Sequence, residues 1–287
     1  MPSQNLSKKA YLLLFLGIFC IGWSAIFVKL SGAPAITTGF YRFFFCFIGI
    51  IPIWIYKKIS IPDTKTLLFI ALGAFAFVAD MALWNIAIFT TSASIATLLA
   101  NNAAIFVGLG AMIIFQQKLS KTYWVGLSIA ILGILMVVIK DVINSPAIGL
   151  GHFMAIGGAF FYAIYLMFTQ KIREKLDTIN FMGWSLVFCV FFAFLLCLQQ
   201  DIKMLNFPTH TWLYFIALGL ICHLTGWLSI NYSLGHLPAS IVSPALLLQP
   251  IFTTIFSYLF LNESLRIEQI IGGATVIAGI YLINKGK

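Results

Sequence analysis

The succession of long apolar runs is the feature that most restricts how this chain can fold. A helix needs about 20 apolar residues to cross the roughly 30 Å hydrocarbon core of a bilayer. Because the runs are continuous rather than alternating, helices are favoured over the strands of a membrane barrel. Ten such runs cover residues 10–30, 36–56, 67–89, 93–115, 123–139, 149–170, 179–198, 210–234, 239–261 and 267–283. The sequence therefore predicts an all-α membrane protein with ten transmembrane helices.

The composition agrees with a membrane location. Apolar residues make up 61% of the 287 and charged residues only 9%, and the mean hydropathy is +1.03. A soluble domain has about 25% charged residues, so most soluble enzyme folds and a disordered chain are excluded. The first run is longer than the roughly 7–15 apolar residues of a signal peptide, and we interpret it as a retained span.

The basic residues indicate how the chain is oriented. With ten spans both termini lie on one side, and that side carries 12 of the 17 Lys and Arg residues, against three on the other. Because positively charged loops stay in the cytoplasm, we expect a multi-pass protein of the inner (plasma) membrane with both termini cytoplasmic. The net charge of +9 reflects this topology, and no basic block with interleaved aromatics indicates nucleic-acid binding.

An internal repeat organises the chain. A shift of 146 residues lays 84–138 on 230–284 without a gap, with Asn85 on Asn231 and 11 of 55 positions identical. Each half, 1–145 and 146–287, then holds five spans. Since five is odd, the second half enters the membrane from the opposite side, so the halves are predicted to be two inverted five-helix repeats. Secondary transporters often have this plan, with the substrate site near the midplane between the halves.

Several motifs resemble those of the EamA-type members of the drug/metabolite transporter superfamily. The resemblance covers nearly the whole chain and is most specific near its end. It is carried by Gly22-Trp23-Ser24, Tyr41-Arg42-Phe43, Pro238-Ala239-Ser240, Gln249-Pro250-Ile251-Phe252, Leu261-Asn262-Glu263-Ser264-Leu265 and Gly272-Gly273. The first half departs from this ending, with Gln117 where the second half has Glu263. The resemblance implies a metabolite carrier that works by alternating access, and it leaves the metabolite open among amino acids, drugs, nucleotide-like compounds and quaternary amines.

Asp80 is the one acid of eight that lies deep in a predicted span, roughly 20 Å from its start at residue 67. Ionisable groups are costly at this depth and are functional candidates. Asp80 shares a helix face with Trp84, which suits an amine through charge and cation–π attraction. Two alternatives stay open, a proton-coupling site and a structural pair with Arg42. Arg42 could also meet a substrate carboxylate.

A second polar stripe lies on the helix that the repeat relates to the one bearing Asp80. His223, Trp227 and Asn231 recur every four residues there, and they either satisfy neighbouring helices or face the first stripe across a cavity. Pro244 and Pro250 interrupt the ninth run. The candidate substrate-binding residues are Trp23, Arg42, Asp80, Trp84, Asn85, Asn102, Tyr162, Tyr165, His223, Trp227, Asn231 and Gln249.

These patterns predict a secondary active transporter that moves a small polar metabolite, an amino acid or amine-bearing compound, across the inner membrane. The alternatives are a carrier that exports drugs or other hydrophobic metabolites and, less favoured, a channel. No enzyme motif, cofactor motif or metal-ligand spacing is present. The five cysteines lie inside apolar runs as packing residues. The expected partners are a small-molecule substrate, the lipid bilayer and a coupling proton, and the protein is expected to be a monomer or weak dimer.

The predicted topology can be tested with reporter fusions. Green fluorescent protein fused after the last residue should fluoresce, and alkaline phosphatase at the same point should be inactive, because the C-terminus is predicted to be cytoplasmic. A fusion after Gly32, in the first loop on the opposite side, serves as the control and should give the reverse pattern. Active phosphatase at the C-terminus would contradict the orientation.

Overall fold

Helices make up nearly all of the structure, a computed structural model that describes residues 4–90, 96, 99–143, 149–199, 204–260 and 265–286. The described residues form no strand. The α-helices are α1 Gln4–Gly22, α2 Ser24–Ser31, α3 Ala35–Tyr56, α4 Thr64–Thr90, α5 Ala103–Ile113, α6 Lys121–Ile143, α7 Leu150–Arg173, α8 Thr178–Gln199, α9 Thr209–Ala217, α10 Leu228–Leu234, α11 Ala239–Ala245, α12 Gln249–Phe260 and α13 Ile267–Lys285.

The spans follow the apolar runs closely. Nine helical stretches in the described part of the chain are long and apolar enough to cross a membrane, and Ala103–Ile113 is a shorter apolar helix. The start of the predicted fourth span, including residues 93–95, lies outside the described residues. The all-helical fold class is confirmed.

Several spans are not straight α-helices. The first is interrupted at Trp23, between α1 and α2. In the eighth, a π-helix at Leu218–Trp227 joins α9 to α10. In the ninth, a 3₁₀ turn at Leu246–Leu248 joins α11 to α12. This last break lies between Pro244 and Pro250, as expected from the helical hydrogen bonds that prolines remove. The π-helix has no such sequence signal.

The helices pack as two units. The first contains Met1–Ala82 and Phe168–Leu237, and the second contains Leu83–Met167 and Pro238–Lys287. These units do not coincide with the sequence halves, because each takes helices from both. Within the first unit α3 packs against α8 and the π-helix, and within the second α6 packs along α13. The division into five-helix repeats at residue 145 stays a prediction.

Glycines bring α6 and α13 into backbone contact inside the second unit. A Cβ added to Gly126 would lie 2.8 Å from Gly279 O, and one added to Gly133 would lie 2.7 Å from Gly272 O. The 146-residue shift relates Gly126 to Gly272 and Gly133 to Gly279. The contact of Gly126 with Gly279 is therefore the repeat equivalent of the contact of Gly272 with Gly133. Reciprocal contacts of this kind are what a two-fold axis produces, and they support the proposed repeat. Small residues permit such close packing of membrane helices.

Two neighbouring glycines allow a matched test of this packing. Gly272→Ala should lower the free energy of unfolding by about 1–3 kcal/mol, because its Cβ would meet backbone that cannot move aside. The nearest atom to that Cβ is Gly133 O, at 2.6 Å. Gly273→Ala is the control, since its Cβ would be 3.7 Å from Ile251, an ordinary contact. Thermal unfolding in detergent measures both, and equal losses would contradict the packing.

Candidate functional site

Three ionisable side chains are buried in membrane-length helical stretches of the first unit. Arg42 lies on α3, Asp80 on α4 and His223 on the π-helix. Their exposed fractions are only 7%, 7% and 3%. Groups of this kind carry a large desolvation cost in hydrocarbon unless the protein provides polar partners. We refer to these three residues as the polar cluster.

Arg42 connects the polar cluster. Its Nε donates a hydrogen bond to His223 Nδ1 across 3.3 Å. Since a guanidinium can only donate, Nδ1 carries the lone pair and the imidazole is the neutral tautomer with its proton on Nε2. The carboxylate of Asp80 interacts electrostatically with the same guanidinium. Arg42 thus links two helices that the sequence analysis selected separately.

Aromatic rings pack around His223, one member of the polar cluster. The ring of Phe43 lies 5.0 Å from that of His223, edge to face, and Phe77 lies 5.7 Å from His223 and 4.7 Å from Trp227. Trp227 is buried. Aromatic faces carry partial negative charge and attract cations. The surroundings of His223, which accepts the hydrogen bond from Arg42, therefore include aromatic surfaces of the kind that suit an organic ammonium group.

The π-helix holds His223 and Trp227 against α1 and α3. Two glycines permit this approach, since a Cβ on Gly219 would lie 2.5 Å from Phe45 Cβ and one on Gly226 2.9 Å from Ile21 Cγ2. Thr225 Oγ1 donates to Leu220 O, five residues earlier. The predicted stripe of His223, Trp227 and Asn231 assumed the 3.6 residues per turn of an α-helix. The structure differs because the π-helix at Leu218–Trp227 has a wider turn. Irregular segments of this type are frequent at functional sites.

Asn231 and Trp23 lie in the same unit as the polar cluster. Asn231 is buried on α10, where its backbone carbonyl accepts a hydrogen bond of 3.1 Å from Arg173 Nε. Trp23 stands at the break between α1 and α2 and stacks on Phe27 at 5.5 Å. The side chain of Asn85 lies outside the described part of the structure.

The other candidates belong to the second unit. Trp84 packs on a cluster of Ala87, Ala96 and Ala155. Asn102 Nδ2 donates to Leu99 O at 3.0 Å, in the turn that precedes α5. The remaining three sit on α7 and at the start of α12, where Tyr165 is buried and Tyr162 and Gln249 are half-buried. Their role in binding stays a prediction.

Sequence reasoning missed Phe43 and Phe77, because any single phenylalanine in so aromatic a chain suggests packing. A signal for Phe77 was present. The 146-residue shift, continued past its first matched residue, places Phe77 on His223. The two rings are in contact in the structure. No group of three His, Cys, Asp or Glu side chains within the described ranges could hold a metal.

Comparison with known proteins identifies a family and a solved structure that this chain resembles. The profile of the EamA-like transporter family matches residues 8–139 and again residues 149–285. A crystal structure that is 13% identical superposes with a TM-score of 0.83 over 96% of both chains, which supports the fold.

Related sequences are also transporters. An uncharacterized transporter of Archaeoglobus fulgidus is 27% identical over 96% of this chain and 98% of its own length. The uncharacterized transporter YdfC of Bacillus subtilis is 24% identical over 93% and 87%. A protein of Salmonella typhimurium named "Probable amino-acid metabolite efflux pump" is 26% identical over 74% and 73%. Family and relatives are transporters, not enzymes.

The coupling between Arg42 and Asp80 can be measured by a double-mutant cycle. Arg42→Gln and Asp80→Asn should each lower the free energy of unfolding, because each leaves the other charge buried with less compensation. The double variant should lose less than the sum, by about 0.5–3 kcal/mol. Chemical unfolding in detergent gives the four values. Strict additivity would contradict the electrostatic link.

Proposed function

We propose a function from the premise that the chain belongs to the EamA-like transporter family. It is a multi-pass membrane transporter. Within that family, it is a secondary active carrier that moves a small polar metabolite, an amino acid or amine-bearing compound, across the inner membrane by alternating access. The polar cluster of Arg42, Asp80 and His223 is the observation that carries this proposal.

The energetic cost of the polar cluster argues for a functional role. Each charged residue at the bilayer centre costs about 2.5–3.5 kcal/mol on insertion scales. Buried ion pairs rarely recover such a cost as stability, and apolar residues of similar volume often stabilise as well or better. Charges kept at this depth are therefore best explained by a ligand or ion that needs them.

The chemistry of the polar cluster matches an amino acid. Asp80 supplies a carboxylate for an amine, and the planar fork of Arg42 suits a carboxylate. Phe77 and Trp227 offer aromatic faces to an ammonium group. The Salmonella relative, whose printed name refers to amino-acid metabolite efflux, adds support for this class.

Alternating access follows from the predicted inverted repeat. When two inverted halves exchange their conformations, a state open to one side of the membrane becomes a state open to the other side. The break at Trp23 and the π-helix are points where spans in the first unit can bend. Asp80 is also the candidate to carry a coupling proton, since it is the one acid deep in a predicted span. Both termini are proposed to be cytoplasmic.

Efflux of hydrophobic drugs is a second candidate, favoured by the aromatic rings around His223 and Trp227. The two functions differ in their need for charge. A drug carrier that uses aromatic contacts tolerates neutralisation of Asp80, whereas a carrier of amines or amino acids does not.

Exchange of labelled substrate in proteoliposomes tests the proposal. The wild-type protein should show saturable counterflow of at least one amino acid or amine, and Asp80→Asn should reduce it about 10- to 100-fold, because a charge-assisted contact of about 1.5–3 kcal/mol is lost. Glu174→Gln is the matched control, since Glu174 is exposed and pairs with Lys171 at 2.9 Å. Full counterflow by Asp80→Asn, with normal insertion, would exclude Asp80 from substrate binding.

A further inference from the structure

We propose that a cleft in the first unit, between the end of α3, the start of α8 and parts of α1 and α10, binds a free amino acid as a zwitterion on its way to or from the polar cluster. This inference rests on the proposed transport function and adds a second site to it. The cleft has a volume of about 440 Å³, within the range of roughly 300–1,000 Å³ that is usual for small-molecule sites.

Asp177 provides the negative charge of the cleft. Burial raises the pKa of this carboxyl, but hydrogen bonds from Asn180 and Ile179 and the nearby Arg173 guanidinium outweigh it, so the pKa lies below its usual value. The carboxylate accepts from the backbone N–H groups of Ile179 and Asn180 and from Asn180 Nδ2. A carboxylate can accept about four hydrogen bonds, so one position is left for a ligand amine.

A hydrogen-bond network fixes this wall of the cleft. Asn180 Oδ1 accepts from Trp54 Nε1 and from Ser60 N, each at 3.0 Å. Trp184 Nε1 donates to Ser60 O at 3.0 Å. The network ties the loop after α3 to the start of α8, and Asp177 is therefore held in place before a ligand arrives. Preorganised groups lose less entropy on binding.

Lys57 provides the positive charge. It follows the last residue of α3, lines the cleft and has an exposed side chain. Its ammonium is free to reach a carboxylate in the cleft, and a charged hydrogen bond of this kind is stronger than a neutral one. One wall thus suits the amine of an amino acid and another suits its carboxylate.

The remaining walls suit an aliphatic side chain. Leu13, Ile179 and Leu228 line the cleft. Tyr232 lines it too, and its ring contacts the Lys9 ammonium, at 5.2 Å, and stacks on the His236 ring, at 4.3 Å. A branched aliphatic amino acid such as leucine satisfies both the charges and the apolar surface.

The position of the cleft connects it to the polar cluster. Leu228 and Ser229, which line the cleft, directly follow Trp227 at the end of the π-helix. The cleft thus adjoins the end of the π-helix that carries His223. A ligand bound in the cleft lies next to the helix that carries His223.

Protection of an introduced cysteine tests occupancy of the cleft directly. Thr178 lines the cleft, and the five native cysteines are buried. In purified Thr178→Cys protein, leucine at about ten times its dissociation constant should slow maleimide labelling about tenfold, because only the unoccupied protein reacts. Glu174→Cys, which is exposed outside the cleft, should label at the same rate with and without leucine.

Matched ligands and variants test the zwitterion requirement. 3-Methylbutylamine lacks the carboxylate of leucine and 4-methylpentanoate lacks the amine, so each should need about tenfold or more higher concentration to protect. Lys57→Gln and Asp177→Asn should each weaken protection by leucine by a similar factor. Asn caps a helix as well as Asp does, so Asp177→Asn removes the charge while retaining the start of α8.

Repeating the protection assay with Asp80→Asn separates the two proposals. If leucine protects the Asp80→Asn protein from labelling although that protein no longer transports, both sites are supported. If leucine protects the cleft but the wild-type protein does not transport leucine, only the proposed substrate is overturned. Absence of protection by saturating leucine would overturn the cleft site, as would protection that survives both charge-neutralising variants or is given equally by the amine alone. Binding of tritiated leucine to Asp80→Asn protein, with and without Lys57→Gln, gives the same answer if the cysteine variant fails to fold.

Discussion

The hydrogen bond and charge interactions made by Arg42 are the constraint around which the first unit is arranged. A guanidinium inside a hydrocarbon core has no water to solvate it, so the protein must supply acceptors and negative charge. His223 supplies the acceptor and Asp80 the charge. To bring them together, α3, α4 and the π-helix must converge. The tight glycine contacts of the π-helix with α1 and α3 follow from the same requirement.

Much of the fold could be predicted from the sequence, because apolar run length is a direct consequence of bilayer thickness. The break between Pro244 and Pro250 also had a local cause. The π-helix could not be predicted, since it depends on how closely Gly219 and Gly226 approach other helices. The two packing units could not be predicted either, because the 146-residue shift relates the sequence halves and contains no information on which helices pack together.

The residues of the candidate site were partly predictable from the sequence. Asp80, Arg42 and His223 stood out because ionisable residues inside apolar runs are few, and the structure brings these three into one cluster. The contacts of Phe77 needed the fold. So did the network of Asn180 with Trp54 and Ser60, which joins residues more than one hundred positions apart and has no local signature. Trp84, although one turn from Asp80 on α4, packs in the second unit.

Recognition of a charged metabolite by the polar cluster is the central claim, and a thermal-shift screen tests it most directly. The protein would carry Asp177→Asn, so that the cleft contributes little, and would be compared with and without Asp80→Asn. An amino acid or amine at about 100 times its dissociation constant should stabilise the protein that retains Asp80 by about 2.7 kcal/mol, and should leave the Asp80→Asn protein unchanged. Equal stabilisation of both proteins, or stabilisation by uncharged hydrophobic drugs alone, would contradict the account.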